Sequence, residues 1–191
     1  MMKKNLLKKM SVVVAAVAIM VSALPISASA ASYNSGDYTA SVNFYVPRKQ
    51  APQHLYNAYL NDTSIPPKNE SEDNVIVHIS DKGVITFTLP INNAQLGIKT
   101  LGSADGVTTV LSEEESTNCS QHEGIRYKAL TASITTANNG ADTLNYTFSK
   151  STFHAKITKN LIGSLSIIPY DGNFEANPVL EIELPSTAIK K

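Results

Sequence analysis

This sequence of 191 residues has a single cysteine and no tryptophan. Cys119 is the only cysteine, so no disulfide can form within the chain. Stability must therefore come from a hydrophobic core or from a ligand. Tryptophan is absent, which disfavours carbohydrate binding, because sugar-binding sites rely on flat aromatic faces.

The usual motifs of catalysis and of zinc binding are also missing. The sequence contains no nucleophile elbow, phosphate-binding loop or pair of catalytic carboxylates. Only Cys119 and His122 have the spacing of a ligand pair, and no second pair accompanies them. The other histidines are isolated, at positions 54, 78 and 154. We therefore expect a binding protein rather than an enzyme.

The N-terminus has the pattern of a secretory signal peptide. Four lysines within the first nine residues precede an uncharged apolar stretch over residues 11–24, and Ala28-Ser29-Ala30 offers a cleavage site. A membrane span needs about twenty apolar residues, and Pro25 interrupts the end of this shorter stretch. We predict that residues 1–30 are removed and that residues 31–191 form one secreted or cell-surface domain without a membrane span.

The charge balance argues against nucleic-acid binding. The whole chain has 16 basic and 16 acidic residues. The signal peptide takes four lysines and no acids, which leaves 12 basic and 16 acidic residues, a net charge of −4. Nucleic-acid binding requires a basic face, so this mildly acidic domain is expected to bind other partners.

Alternation of apolar and polar residues dominates the mature sequence and predicts β-strands. Asp81-Lys82-Gly83 lies between two alternating runs, which predicts a β-hairpin. Several further short strands predict an all-β fold, an antiparallel β-sandwich, although an up-and-down barrel has the same local pattern. We expect a short helical turn over residues 53–60, after the first strand. Residues 62–74 and 112–124 are expected to be polar loops, and the second contains three consecutive glutamates at 113–115.

The order of these pieces resembles the NEAT (near-iron-transporter) domain family. The run S-G-D-Y-T-A-S-V-N-F at residues 35–44 is similar to the first strand of that family. A short helical lid, a glycine-turned hairpin and an Ile-Pro element before a closing hairpin follow, here at residues 53–60, 81–87 and 168–170. The resemblance covers about residues 34–185. It implies an immunoglobulin-like sandwich on a Gram-positive cell surface that binds haem or a haemoprotein in iron acquisition.

Four aromatic residues are the candidate binding site. Tyr56 and Tyr59 lie three apart and would share one face of the helical turn, while Tyr170 and Phe174 bracket a predicted Asp-Gly-Asn turn. These residues either pack as a lid on the sandwich or form a pocket for a flat apolar ligand. The resemblance implies that Tyr170 ligates haem iron as a phenolate and that Phe174 replaces a second tyrosine. Tyr56 and Tyr59 would then be lid contacts.

The sequence leaves two alternatives open, one for the function and one for the last segment of the chain. The first is an adhesin or structural interaction domain that has no small-molecule ligand. The second concerns Leu184-Pro185-Ser186-Thr187-Ala188, which resembles a sortase sorting motif. Only Ile189, Lys190 and Lys191 follow it, without the apolar tail of such signals, so we interpret the segment as the end of the last strand.

Overall fold

The computed structural model describes residues 32–52, 57–61, 74–91, 95–115, 126–135, 140–157, 161–162, 165–166 and 169–190. Within these ranges the chain is nearly all antiparallel β-structure, which confirms the predicted fold class. No helix among the described residues is long and apolar enough to cross a membrane.

Thirteen strands are described, and they form two main sheets and a small ladder. The larger sheet has the order β6-β7-β4-β3-β1-β13-β8, with β2 paired to β1, and it curls into a half-barrel. The smaller sheet has the order β12-β9-β5, and β10 pairs with β11. The strands are β1 Gly36–Val46, β2 Ala58–Tyr59, β3 Asn74–Ile79, β4 Ile85–Ile91, β5 Leu96–Thr100, β6 Val107–Glu115, β7 Arg126–Ile134, β8 Thr143–Thr147, β9 Ser151–Ile157, β10 Leu161–Ile162, β11 Leu165–Ser166, β12 Tyr170–Ala176 and β13 Val179–Glu183.

The core is built from the apolar positions of the alternating strands, because successive side chains of a strand point to opposite faces. Along β1, every second residue from Ala40 to Val46 is buried. Phe44 packs edge-on against Phe148, with ring centroids 5.7 Å apart and an angle of 67° between the rings. Phe87 of β4 is also buried. The two sheets thus enclose one aromatic and aliphatic core.

The predicted hairpin around Gly83 is confirmed. Gly83 has φ of 76°, in the left-handed region that favours glycine, and β3 pairs with β4 on either side of it. β4 also continues through Pro90, which lies opposite Ala129 of β7. The pairing of β3 with β4 covers only the two residue pairs nearest the turn, so Pro90 lies where β4 has no β3 neighbour and a missing N–H is tolerated.

Two predicted irregular segments contain strands instead. The glutamates at 113–115 were expected in a loop, but β6 extends to Glu115. Glu113 lies opposite Lys128 of β7, and opposite charges across a ladder favour pairing. The helical turn predicted over residues 53–60 is not confirmed: Ala58–Tyr59 is a strand that pairs with the end of β1, and residues 53–56 lie outside the described residues.

Asn61 completes the hydrogen bonding of β1 between β3 and β2. Its Oδ1 accepts a hydrogen bond from Phe44 N at 3.0 Å, and its Nδ2 donates to Val42 O at 3.0 Å. The side chain is buried, where unpaired backbone groups would be costly. The Asn61 side chain therefore takes the place of the strand backbone that would otherwise bond to β1 between β3 and β2.

The two ends of the described domain are joined to each other. Tyr33 forms an isolated β-bridge with Ile189, and Asn34 N donates to Ala188 O at 2.8 Å. The segment that resembles a sorting motif is folded here: Leu184 and Ala188 are buried, and Ser186–Ala188 form a turn of 3-10 helix.

Candidate functional site

Tyr170 and Phe174 lie on one arm of a long hairpin, which we call the β9–β12 hairpin (residues 151–176). β12 runs antiparallel to β9, with Tyr170 opposite Ile157 and Phe174 opposite Phe153. β10 and β11 continue the same register towards the tip, where Leu161 lies opposite Ser166. Leu161–Ile162 and Leu165–Ser166 form a two-stranded ladder separate from the smaller sheet.

The turn predicted between Tyr170 and Phe174 is wrong, because Tyr170–Ala176 is one continuous strand. The sequence Asp-Gly-Asn favours turns locally, but its pairing with β9 holds it extended. The predicted closing hairpin is also absent: β13 follows β12 in the chain but pairs with β1 and β8 in the larger sheet. The true partner of β12 precedes it in the sequence.

A strand places Tyr170, Gly172 and Phe174 on the same face. The ring of Tyr170 lies over Gly172, where an added Cβ would be 3.4 Å from the tyrosine Oη. Tyr170 is half-buried, and its hydroxyl donates to Asn173 O at 3.2 Å. Phe174 stacks on the fully buried Phe153, with centroids 5.4 Å apart. This aromatic face points towards the core of the sandwich.

The opposite face of the β9–β12 hairpin carries a polar cluster that the sequence did not reveal. His154 Nε2 lies 3.2 Å from Asp171 Oδ1, and His154 Nδ1 lies 3.2 Å from Asn173 Oδ1. Each contact is short enough for an imidazole N–H to donate to the side-chain oxygen. The outward positions of these residues follow from alternation, but their meeting depends on the register of β9 against β12.

Of the two predicted lid residues, only Tyr59 lies in the described part of the chain, and it is not beside the aromatic face of the β9–β12 hairpin. Tyr59 is 42% exposed and packs on Tyr45, with ring centroids 5.3 Å apart. The neighbours of Tyr45 in β1, Phe44 and Val46, are buried, so Tyr45 and Tyr59 lie on the outer face of the larger sheet. Burial raises the pKa of Tyr45, and the carboxylate of Glu181 raises it further. Tyr56 lies outside the described residues.

A second exposed histidine pairs with a carboxylate on the larger sheet. Asp37 lies opposite His78 in the register of β1 and β3, and His78 Nδ1 is 2.7 Å from Asp37 Oδ1. Both side chains are more than half exposed. Among the described residues, no group of three or more His, Cys, Asp or Glu residues is arranged to hold a metal ion.

Comparisons with protein-family models, with curated proteins and with solved structures give no match to this chain.

Proposed function

We propose that this chain is an exported, NEAT-like binding module and that haem, free or within a haemoprotein, binds against the β9–β12 hairpin. The observation that carries the proposal is the spacing of Tyr170 and Phe174. They lie four residues apart on one face of a continuous strand, so both can contact the same flat ligand. The resemblance of the opening strand to NEAT domains supports the same ligand.

The residues of this face suit haem in two ways. A phenolate is a hard, charged oxygen donor, and tyrosine is a known axial ligand of haem iron. Tyr170 is the only tyrosine of the described hairpin residues, 151–157, 161–162, 165–166 and 169–176. The half-buried ring of Phe174, which stacks on the fully buried Phe153, offers an apolar surface on the same face as that oxygen, on which a porphyrin can pack.

Ligation requires Tyr170 to change its hydrogen bonding. The hydroxyl now donates to Asn173 O, and a phenolate has no proton to donate. Binding of ferric iron would therefore replace this bond, and the tyrosine ring would turn away from the strand.

The proposal is tested by titrating the purified protein with ferric haem and recording its absorbance spectrum. We expect a shifted Soret band with tyrosinate-type charge-transfer bands, and we expect Tyr170→Phe to lose those bands because the donor atom is removed. Tyr38→Phe is the matched control, since Tyr38 is half-buried, lies beside Gly36 and donates to Ser35 O at 3.4 Å. An unchanged spectrum in Tyr170→Phe would refute the assignment.

Export is proposed from the N-terminal pattern and has a separate test. Cleavage after Ala30 gives a product that begins at Ala31, and Tyr33 then lies close to the new end. The intact mass of the exported protein distinguishes this product from one that keeps residues 1–30.

A protein-interaction module without a small ligand is the second candidate. Ile76 of β3 is 61% exposed and Val110 of β6 is 47% exposed, and both point outward from the larger sheet. Both side chains would add apolar contact area to a protein interface on this face. Absence of any spectral change on haem addition would favour this second function.

A further inference from the structure

The strands that end the two sheets differ in their protection against pairing with another chain. An edge strand presents unpaired backbone N–H and C=O groups, and proteins blunt such edges with charges, proline or bulges. The larger sheet ends in β6 and β8, and the smaller sheet ends in β12 and β5.

Three of these four strands carry such protection. β6 ends in three consecutive glutamates, and β5 contains Lys99 together with a shift in register. β12 exposes Asp171 and Glu175. If two β12 strands paired antiparallel about Asn173, these carboxylates would stand opposite each other, and like charges in that position destabilise a ladder.

β8 has none of these features. Its sequence is Thr-Leu-Asn-Tyr-Thr, without charge, proline or glycine. Leu144 and Tyr146 are buried in the core, whereas Thr143, Asn145 and Thr147 are exposed. β8 therefore combines a well-anchored inner face with a neutral outer face.

The backbone of β8 also directs groups outward that pair with no strand in the described part of the chain. Leu184 N donates to Asp142 O at 2.7 Å, and Phe148 N donates to Pro178 O at 2.9 Å. Because hydrogen-bonding direction alternates along an antiparallel strand, the even-numbered residues of β8 face β13. The N–H and C=O groups of the odd-numbered residues 143, 145 and 147 face away from the sheet, and within the described residues no strand other than β13 pairs with β8.

We propose that β8 is a dimer interface, at which two copies of this chain pair antiparallel about a two-fold axis through Asn145. This axis places Thr143 of one copy opposite Thr147 of the other, and Asn145 opposite itself. Each copy supplies three outward N–H groups and three outward C=O groups. All of them are satisfied at once, and the two larger sheets become continuous.

A second copy fits this edge because the strand is complementary to itself and the carboxylates that lie beside its centre stay far apart in the dimer. Glu181 of β13 lies opposite Asn145, so the Glu181 carboxylates of the two copies are three strand spacings apart. That distance is about 14 Å and exceeds the screening length of about 8 Å at physiological salt. Two-fold pairing is also the commonest arrangement of homo-oligomers.

Sedimentation equilibrium of the purified protein over a wide concentration range tests the interface. We expect a reversible dimer for the wild type and a monomer for Asn145→Lys, because two lysines would face each other on the axis. Thr39→Lys is the matched control, since Thr39 is exposed on the same sheet but lies on the interior strand β1; it should dimerise like the wild type. An equimolar mixture of Asn145→Lys and Asn145→Glu should recover the dimer.

Covalent trapping provides a second measurement that does not depend on the charged variants folding well. Opposed residues of a hydrogen-bonded pair have Cα atoms about 5.5 Å apart, which suits a disulfide. In a Cys119→Ser background, Asn145→Cys should therefore form a disulfide-linked dimer with oxidised glutathione, whereas Thr39→Cys should not. A wild type that is monomeric at every concentration, or no preference for cross-linking at Asn145, would overturn the proposal.

Discussion

The centre of the larger sheet and the smaller sheet differ in how completely their strands are enclosed by neighbouring strands. From Ser41 to Tyr45, β1 is bonded along both sides, by β13 on one and by β3, Asn61 and β2 on the other. The smaller sheet has three strands, and its edge strand β12 carries the half-buried Tyr170 and Phe174. The backbone of a fully paired interior strand has no free hydrogen-bonding group to offer a ligand, while half-buried aromatic side chains on an edge strand can exchange protein contacts for ligand contacts. The candidate site therefore lies on the less enclosed sheet.

The largest expected difference between the two regions is in their phenylalanines. Phe44→Ala should lower the free energy of unfolding by about 3–5 kcal/mol, because it empties a fully buried site beside Phe148. Phe174→Ala should cost only about 1–2 kcal/mol, since this ring is half-buried. Urea unfolding of both variants measures the contrast, and equal losses would show that β12 is as enclosed as β1.

Asn61→Leu is expected to have the next largest effect. It removes the partners of Phe44 N and Val42 O, and a buried backbone group left unpaired costs about 1–3 kcal/mol. We expect a loss of about 2–4 kcal/mol in urea unfolding. Asn57→Ala is the control, because Asn57 Oδ1 accepts an exposed hydrogen bond from Arg48 N at 2.9 Å; it should lose less than about 1 kcal/mol. A similar loss in both variants would contradict the role of Asn61.

The smallest expected effect is a loss of stability at alkaline pH that originates in the larger sheet. Burial raises the pKa of Tyr146, Tyr33 and Tyr45 above their ordinary value of 10.0. Above pH 10 the unfolded chain therefore releases protons that the folded chain retains, so stability is complete below that pH and declines above it. Urea midpoints on either side of pH 10 measure the decline, which should be weaker in Tyr146→Phe. A midpoint that does not change with pH would contradict it.

The fold was predictable where one physical signal dominates. Alternation over β1, β3 and β9 reveals which side chains are buried, because the period of a strand is independent of its partner. Glycine at residue 83 similarly determines a hairpin, since a positive φ strongly favours that residue. Phe87 and Phe148 are buried as their positions in alternating runs indicate.

The candidate site was less predictable because it depends on pairing between distant residues. The sequence Asp171-Gly172-Asn173 favours a turn locally, but pairing with β9 holds it in a strand. The free energy of that pairing cannot be read from a short stretch of sequence, because it depends on residues elsewhere in the chain. The contact of His154 with Asp171 follows only from that register. Asn61 resembles any loop asparagine in the sequence, and its role emerges only from the gap that it fills on β1.

The pairing of residues 32–34 with residues 188–190 has a mechanical consequence. Residues 32–34 run antiparallel to residues 188–190, and Lys190 N donates to Ser32 O at 3.1 Å beside the Tyr33–Ile189 bridge. A pulling force applied at residues 32 and 190 would break these hydrogen bonds one after another, in the unzipping geometry, and would not load them all together in shear. The same peeling would then continue into the ladder of β1 with β13, so tension on the chain would open the sandwich from its central strand.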